Sequence, residues 1–169
     1  MAGNSPVDRS KLGTKRHVLT DKKGIPLSAA ISSANMHDIK AVTDVIDSAV
    51  VRKPVASLST AKGIVERKKQ YQHLCLDRAY VSELVEQQIA TRGYVPHMPY
   101  KRKKGQNKGK TNQKKHPYAK NRRWVVERTN SWHNRFRKLL VRYEKKVENY
   151  LGLVQLSCSI IIYRKVILG

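Results

Sequence analysis

The chain has 169 residues, of which 40% are hydrophobic, and 35 Lys and Arg against 12 Asp and Glu give it a net charge of +23. The length suits one domain that buries about 70% of its unfolded surface, and the composition excludes an intrinsically disordered chain. A domain this basic repels itself and usually needs a polyanion, most commonly nucleic acid; a merely soluble basic surface is the alternative.

The first part of the chain predicts a β-hairpin followed by a helix. Alternating polar and apolar residues predict strands over 15–21 and 25–33, and Gly24 supplies the positive φ that the turn requires. Apolar residues at helical spacing then predict a helix over 36–50. Asn35 is the expected N-cap of this helix, with Asp38 at its third position.

The middle of the chain alternates between strands and helices. Residues 52–70 contain Pro54, Gly63 and a basic cluster, which indicate a surface connection. A short strand over 71–76, a helix over 82–92 and a strand over 94–98 follow. This alternation predicts an α/β layer with some parallel pairing.

The last third of the chain carries most of the charge. Residues 1–100 contain 15 basic and 9 acidic residues, whereas residues 101–169 contain 20 basic and 3 acidic residues. The segment 100–123 has no acid and cannot form a core, so we expect it to be mobile when unbound and to contact the polyanion. Helical periodicity then predicts a long amphipathic helix over 119–145 and a last helix over 148–166.

The two cysteines, Cys75 and Cys158, have no second metal ligand at short spacing, which makes a zinc site improbable. Both lie in apolar stretches and are expected to be buried in a reducing cytosol. No apolar signal segment is found at the start of the sequence. The apolar tail 159–166 is interrupted by Arg164 and Lys165 and is too short to span a bilayer, so a docked helix is expected.

Asp77 is the first candidate for chemistry. It ends the apolar strand 71–76, and an acid at the C-terminal edge of a strand in an α/β sheet lies where ligands usually bind. A helix-capping role for the helix that follows is an equally good interpretation of the spacing.

Glu127 is the second candidate. On a helix it shares a polar face with Arg123, Ser131 and Asn134. From charge alone, a structural ion pair with Arg123 or Arg128 is the favoured interpretation. Two carboxylates in a polyanion-binding domain nevertheless suit Mg²⁺, which serves in cutting and joining DNA strands. Trp124 and Trp132 on the same helix suit base stacking, although core packing is the commoner role.

Several motifs, in order and spacing, closely resemble the DDE transposases of bacterial insertion sequences, families four and five. The resemblance extends from near residue 4 to about residue 164, and the segments that carry it are 8–21, 35–38, 76–80, 123–129 and 134–144.

The resemblance implies an RNase H-like mixed sheet with flanking helices, followed by long C-terminal helices, within a single partial catalytic domain over 1–169. Its expected parts are a sheet portion over 15–98, a basic segment over 100–123 and C-terminal helices over 119–166. Asp77 matches the second catalytic aspartate and Glu127 the catalytic glutamate, which together would bind Mg²⁺ or Mn²⁺. The expected DNA-binding residues are Lys101, Arg102, Lys103, Lys104, Arg122, Arg123, Arg128, Arg137 and Arg142.

The sequence departs from the family pattern in three places. Lys120 replaces a frequent tyrosine, and Asn134 replaces a frequent basic residue whose role Arg135 or Lys138 would take. No acid precedes Asp8, which matches a position outside the catalytic triad. The resemblance therefore implies a chain without the first catalytic aspartate and its strand, either a second-frame product or a decayed remnant, inactive without an upstream transposase fragment.

The resemblance also implies partners and location. Transposon ends and target DNA are the expected partners, with a homo-oligomer on DNA, no membrane, and a cytoplasmic, nucleoid-associated location. A non-enzymatic basic nucleic-acid-binding protein is the alternative, which explains the charge but neither Asp77 nor Glu127.

Overall fold

The computed structural model separates into two compact units. The first contains Met1–Val51 and Arg122–Gly169, and the second contains Arg52–Asn121. The first unit is therefore discontinuous in sequence, and the second is inserted into it. The residues that the structure describes are 2–6, 9–51, 58–61, 64–67, 72–98 and 123–169.

A long β-hairpin forms the sheet of the first unit. Strand β1 (Gly3–Asn4) pairs with only the first two residues of β2 (Leu12–Thr20), and β2 pairs antiparallel with β3 (Pro26–Ser33) along most of its length. Gly24 in the connecting turn has a φ of 81°. The predicted hairpin and the role of its glycine are thus confirmed.

The helix after the hairpin is shorter than the predicted helix over 36–50. A 3-10 turn (Asp38–Ala41) leads into α1 (Val42–Asp47). The helix packs on the hairpin, where the buried Ser28 hydroxyl donates a hydrogen bond to the Val45 carbonyl at 2.5 Å.

The prediction that Asn35 is the N-cap of this helix is wrong. His37 occupies the cap position, and its ring accepts a long hydrogen bond of 3.4 Å from a backbone N–H of the turn. Lys15 explains the later start, because its ammonium group donates to the Met36 carbonyl at 2.9 Å and to the Asp38 carboxylate at 2.8 Å. These contacts with β2 fix the residues that would have formed the first turn.

Three helices complete the first unit. They are α3 (Arg123–Asn134), α4 (Arg137–Leu140) and α5 (Val147–Ile162), and a π-helical turn (Tyr163–Ile167) continues α5. The prediction of a last helix is confirmed. The prediction of a single helix over 119–145 is wrong, because α3 ends at Asn134 and α4 follows as a separate helix.

The break between α3 and α5 is seen in the backbone angles beside α4 and in the contacts of Arg142. Phe136 and Val141, which flank α4, are extended, with ψ angles of 106° and 122°. Arg142 then fixes the following loop by donating to the carbonyls of Glu144 at 2.8 Å and Lys145 at 3.2 Å. Side-chain hydrogen bonds thus replace the helical ones.

The core of the first unit lies between the hairpin and the last helices. Leu139, Tyr150 and Val154 are at most 4% exposed, and Ala29 and Ile31 of β3 pack against them. Burial of Tyr150 and Val154 contributes to the docking of α5, since a fully buried aliphatic side chain stabilises by roughly 1.5–3 kcal/mol. The expected docked C-terminal helix is confirmed.

The same helix has a second property. Together with its π-helical turn it covers Val147–Ile167, which is long and apolar enough to cross a membrane by length and composition alone. The tail 159–166 considered by itself was too short for that. One face of the helix is packed on β3, and 22% of the apolar window is buried.

The second unit begins with two strands that were not predicted. Strand β4 (Leu58–Ala61) pairs antiparallel with β5 (Ile64–Arg67), within the stretch 52–70 that was expected to be only a surface connection. Leu58, Ile64 and Val65 are residue types that strands favour. The basic cluster around them obscured this short pattern.

The second unit also contains, over residues 72–98, a strand–helix–strand motif. Strand β6 (Gln72–Cys75) pairs parallel with β7 (Tyr94–His97), and α2 (Glu83–Thr91) connects them. Gly93, with a φ of 75°, ends the helix as predicted. Two residues of α2 are fully buried: Val85 and Ile89.

The predicted mixed α/β class is confirmed. The described residues form one three-stranded and two two-stranded sheets with five α-helices, and the expected parallel pair is present. The finer RNase H-like arrangement stays a prediction. Of the predicted basic segment 100–123, only Arg123 lies within the described residues.

Candidate functional site

Asp77 lies just beyond the C-terminal end of β6. The Leu76 N–H donates to the His97 carbonyl at 3.0 Å, which continues the pairing of the two strands up to Asp77. The Asp77 carbonyl accepts from Tyr80 N–H at 3.1 Å and begins a 3-10 turn, while its side chain is exposed. The N-cap position of α2 belongs to Ser82, so the capping interpretation of Asp77 is wrong.

Two histidines lie on the strands that lead to this edge. His73 Nδ1 is 2.7 Å from His97 Nε2, and the rings stack with centroids 4.9 Å apart. Sequence reasoning missed this pair. The spacing within one strand gave no signal for it, because the two rings meet only through the parallel pairing of β6 and β7.

Glu127 lies on the solvent side of α3. The buried stripe of this helix consists of Val125, Thr129 and His133, at intervals of four residues. Glu127 is exposed, as are Ser131 and Asn134, and the predicted polar face is confirmed for these three residues. The Arg123 side chain is outside the described part of the structure.

The neighbouring Arg128 is engaged within the protein. It donates a hydrogen bond to the Lys23 carbonyl at the end of the hairpin. Its guanidinium group lies 4.8 Å from the centre of the Trp124 ring and 5.3 Å from that of Trp132. Trp124 is 55% exposed, so the core role expected for it is wrong. Trp132 is half-buried.

Arg142 is also engaged within the first unit. Besides the two carbonyls of its own loop, it donates to the Thr14 hydroxyl and lies 5.1 Å above the Tyr150 ring. It lines a cavity of about 510 Å³ together with Arg16 and Lys145. Its lining also includes Glu144, so three cationic residues and one acidic residue give the cavity a net basic character.

The other predicted DNA-binding residues divide into two groups. Arg137 is exposed on α4, and Asn134, which stands where the family often has a basic residue, accepts a 2.7 Å hydrogen bond from Arg16. The contact brings a cation to the Asn134 position from β2. Outside the described residues lie Lys101, Arg102, Lys103, Lys104 and Arg122.

Buried ionisable groups surround the inner face of α3. Burial, with the Arg16 charge as a second cause, lowers the pKa of His133 to about 4, and burial raises the pKa of the Cys158 thiol to about 11. The His133 ring lies 3.6 Å from Cys158 Sγ. Both cysteines were expected to be buried. Cys158 is half-buried and Cys75 is exposed.

The donor chemistry fits a hard divalent cation only in part. Asp77 and Glu127 offer carboxylate oxygens, which Mg²⁺ prefers, and both side chains are exposed. They belong to different compact units. Among the described residues, no group of three or more His, Cys, Asp or Glu side chains is arranged to hold a metal ion.

Comparison with known proteins gives two matches. The family model described as "Transposase DDE domain" matches residues 2–162. The chain is 30% identical over 163 residues to a transposase assigned to insertion sequence element IS402 of Burkholderia cepacia, and this similarity covers 95% of the chain and 68% of the relative. No solved structure matches the chain significantly.

Proposed function

Because the chain belongs to the Transposase DDE domain family of insertion-sequence transposases, we propose that Asp77 and Glu127 are two of the carboxylates at which it processes DNA. Transposition is the function of this family, and a non-enzymatic basic protein is not favoured. The observation that carries the proposal is an exposed carboxylate at the C-terminal end of a parallel strand pair, with another exposed carboxylate on α3.

The two carboxylates would hold Mg²⁺ or Mn²⁺. The chemistry that the ion supplies when bound is activation of a water or a DNA 3′-hydroxyl and stabilisation of charge at the scissile phosphate. Both side chains are exposed, so solvent and a DNA strand have access to them. The parallel β6–β7 pair connected by α2 supports an RNase H-like arrangement.

The basic residues would hold the DNA. A net charge of +23 is suited to a polyanion whose binding releases counterions. Arg137 is the described candidate that is exposed, and the basic cavity beside Arg142 supports a second contact. DNA ends and target would be the partners, with assembly into a multimer on DNA in the bacterial cytoplasm.

Iron-directed cleavage of the protein backbone tests the metal site. Iron(II) replaces Mg²⁺ at carboxylate sites and, with ascorbate and peroxide, generates radicals that cut the nearby polypeptide. In the complete chain bound to a short DNA duplex, we expect cuts next to Asp77 and Glu127. Asp77→Asn and Glu127→Gln should each weaken both sets of cuts, because the two side chains share the ion.

Glu148→Gln is the matched control, since Glu148 is an exposed carboxylate in the first turn of α5 and its loss changes the net charge equally. This variant should keep the wild-type cutting pattern. The proposal would be overturned if the cuts were unchanged in both Asp77→Asn and Glu127→Gln, or if they lay elsewhere in the chain. The mapping requires no knowledge of the terminal-repeat sequence.

A further inference from the structure

The hairpin tip (residues 21–25) is a rigid turn that offers two carbonyl groups to α3. One carboxylate oxygen of Asp21 accepts hydrogen bonds from the backbone N–H groups of Lys23 and Ile25, each at 2.8 Å. The Gly24 N–H donates to the Asp21 carbonyl at 3.1 Å. These N–H groups are bound inside the turn, whereas the carbonyls of Lys23 and Gly24 accept from α3.

Two consecutive residues of α3 donate to these two carbonyls. The Thr129 hydroxyl lies 2.6 Å from the Gly24 carbonyl and 3.2 Å from that of Val125 in its own helix. A hydroxyl has one proton, so the shorter contact is the hydrogen bond, and it is completely buried. Arg128 donates to the Lys23 carbonyl.

The Arg128 side chain is itself held in place. Trp124 and Trp132, one turn before and after it, flank its guanidinium group at cation–π distance. Its Nε is buried and has no hydrogen-bond partner among the described residues. The guanidinium group of Arg128 is thus held by contacts within the protein.

The attachment restricts the rotation of α3 about its axis. Burial of Val125 and His133 already holds one face of the helix within the first unit, and the contacts from Arg128 and Thr129 to neighbouring carbonyls limit its remaining freedom to turn. Glu127 precedes them directly, and its carboxylate lies about 6 Å from the helix axis. A rotation of about 20° would therefore move that carboxylate by about 2 Å, and misplacement by about 1 Å is enough to slow catalysis about 100-fold.

We propose that Thr129 and Arg128 are positioning residues that lock α3 to the hairpin tip and so set where Glu127 presents its carboxylate. The inference rests on the proposed role of Glu127 in the metal site. It also reassigns Arg128 from binding DNA to holding the helix. Neither residue would touch DNA, metal or the reacting atoms.

A pair of substitutions isolates the Thr129 hydrogen bond. Thr129→Val keeps the shape and removes the donor, and Thr129→Ser keeps the donor. In the iron-directed mapping, we expect Thr129→Val to weaken the cuts beside Glu127 at least about fivefold or to spread them over neighbouring positions, and Thr129→Ser to keep them. Where DNA cleavage is followed, kcat should fall at least about tenfold with KM for DNA unchanged.

A second pair of variants, Arg128→Met and its control Arg137→Met, tests Arg128. It keeps the proposal falsifiable if Thr129→Val does not fold. Arg128→Met keeps a long side chain between the two tryptophans but cannot donate. It should alter the cuts beside Glu127 while leaving the salt dependence of duplex binding unchanged. A phosphate contact would instead reduce the slope of log K against log salt by about 0.9, the result that we expect for the exposed control Arg137→Met.

The outcomes separate this inference from the proposed function. If the Glu127→Gln variant is cut by iron at the same positions and to the same extent as the wild type, the role of Glu127 itself is refuted. Loss of the cuts in Glu127→Gln, with wild-type patterns in both Thr129→Val and Arg128→Met, would refute the positioning role and leave the metal site intact. A reduced salt slope in Arg128→Met would return Arg128 to the DNA-binding surface.

Discussion

Mild acid is expected to destabilise the first unit through His133. Burial, assisted by the charge of Arg16, lowers the pKa of this histidine from 6.5 to about 4. The folded protein therefore holds the neutral ring, whereas the unfolded chain takes up a proton near pH 6.5. The free energy of unfolding falls as the pH drops below 6.5 and levels off below about pH 4, where both states are protonated.

The magnitude follows from the two pKa values. At about pH 5 the unfolded chain is almost fully protonated at this position and the folded protein hardly at all, which lowers the free energy of unfolding by about 2 kcal/mol relative to about pH 7.5. Since a domain is typically stable by roughly 5–15 kcal/mol, the loss is easily measured.

Urea unfolding at the two pH values, followed by tryptophan fluorescence, measures this effect. His133→Gln keeps a neutral polar group and does not titrate in this range, so its stability should fall by about 2 kcal/mol less than that of the wild type. His17, whose pKa burial also lowers, is present in both proteins and cancels. Equal pH dependence in the two proteins, or an NMR titration midpoint of His133 near its usual pKa, would refute this reasoning.

Two further predictions concern glycines and thiols. Gly24→Ala should lower the free energy of unfolding by about 1–2 kcal/mol in denaturant titrations, because its φ is 81° and an added Cβ would lie 3.0 Å from the Thr129 hydroxyl. Gly152→Ala, whose added Cβ meets open space on α5, should raise the free energy of unfolding by about 1 kcal/mol. A Gly24→Ala protein more stable than Gly152→Ala would contradict the argument. Iodoacetamide at about pH 8 should label the exposed Cys75 well before Cys158, because the raised pKa of Cys158, about 11, leaves roughly one thiol in a thousand as thiolate. Equal labelling rates of the two cysteines, measured by mass spectrometry, would contradict this prediction.

The features that the sequence predicted correctly have local causes. The hairpin depends on alternation over a few residues and on one glycine in its turn, and α2 ends at Gly93 for a similar reason. The exposed positions of Asp77 and Glu127 were likewise readable, since one follows an apolar strand and the other lies opposite an apolar helical stripe. Short-range patterns of this kind are sufficient wherever the competing tertiary contacts are weak.

The features that the sequence did not predict depend on contacts between distant residues. Asn35 is a good intrinsic N-cap, but Lys15, 23 residues before Asp38, fixes a turn whose cap, His37, lies two residues later. Apolar spacing continues through Phe136 as if one helix ran to residue 145, but Arg142 binds its own loop and Thr14, 128 residues away. Arg128 looked like a phosphate ligand, because charge gives no sign of a carbonyl 105 residues away.

The discontinuous first unit has a consequence for folding during synthesis. Strand β3 leaves the ribosome early, but Leu139, Tyr150 and Val154, which cover Ala29 and Ile31, are made more than 100 residues later, roughly ten seconds at ordinary rates of elongation. An isolated hairpin is only marginally stable in water. The nascent chain is therefore expected to expose an unfinished apolar strand pair, which favours aggregation. The second unit is contiguous in sequence, so its synthesis is complete before that of the first unit.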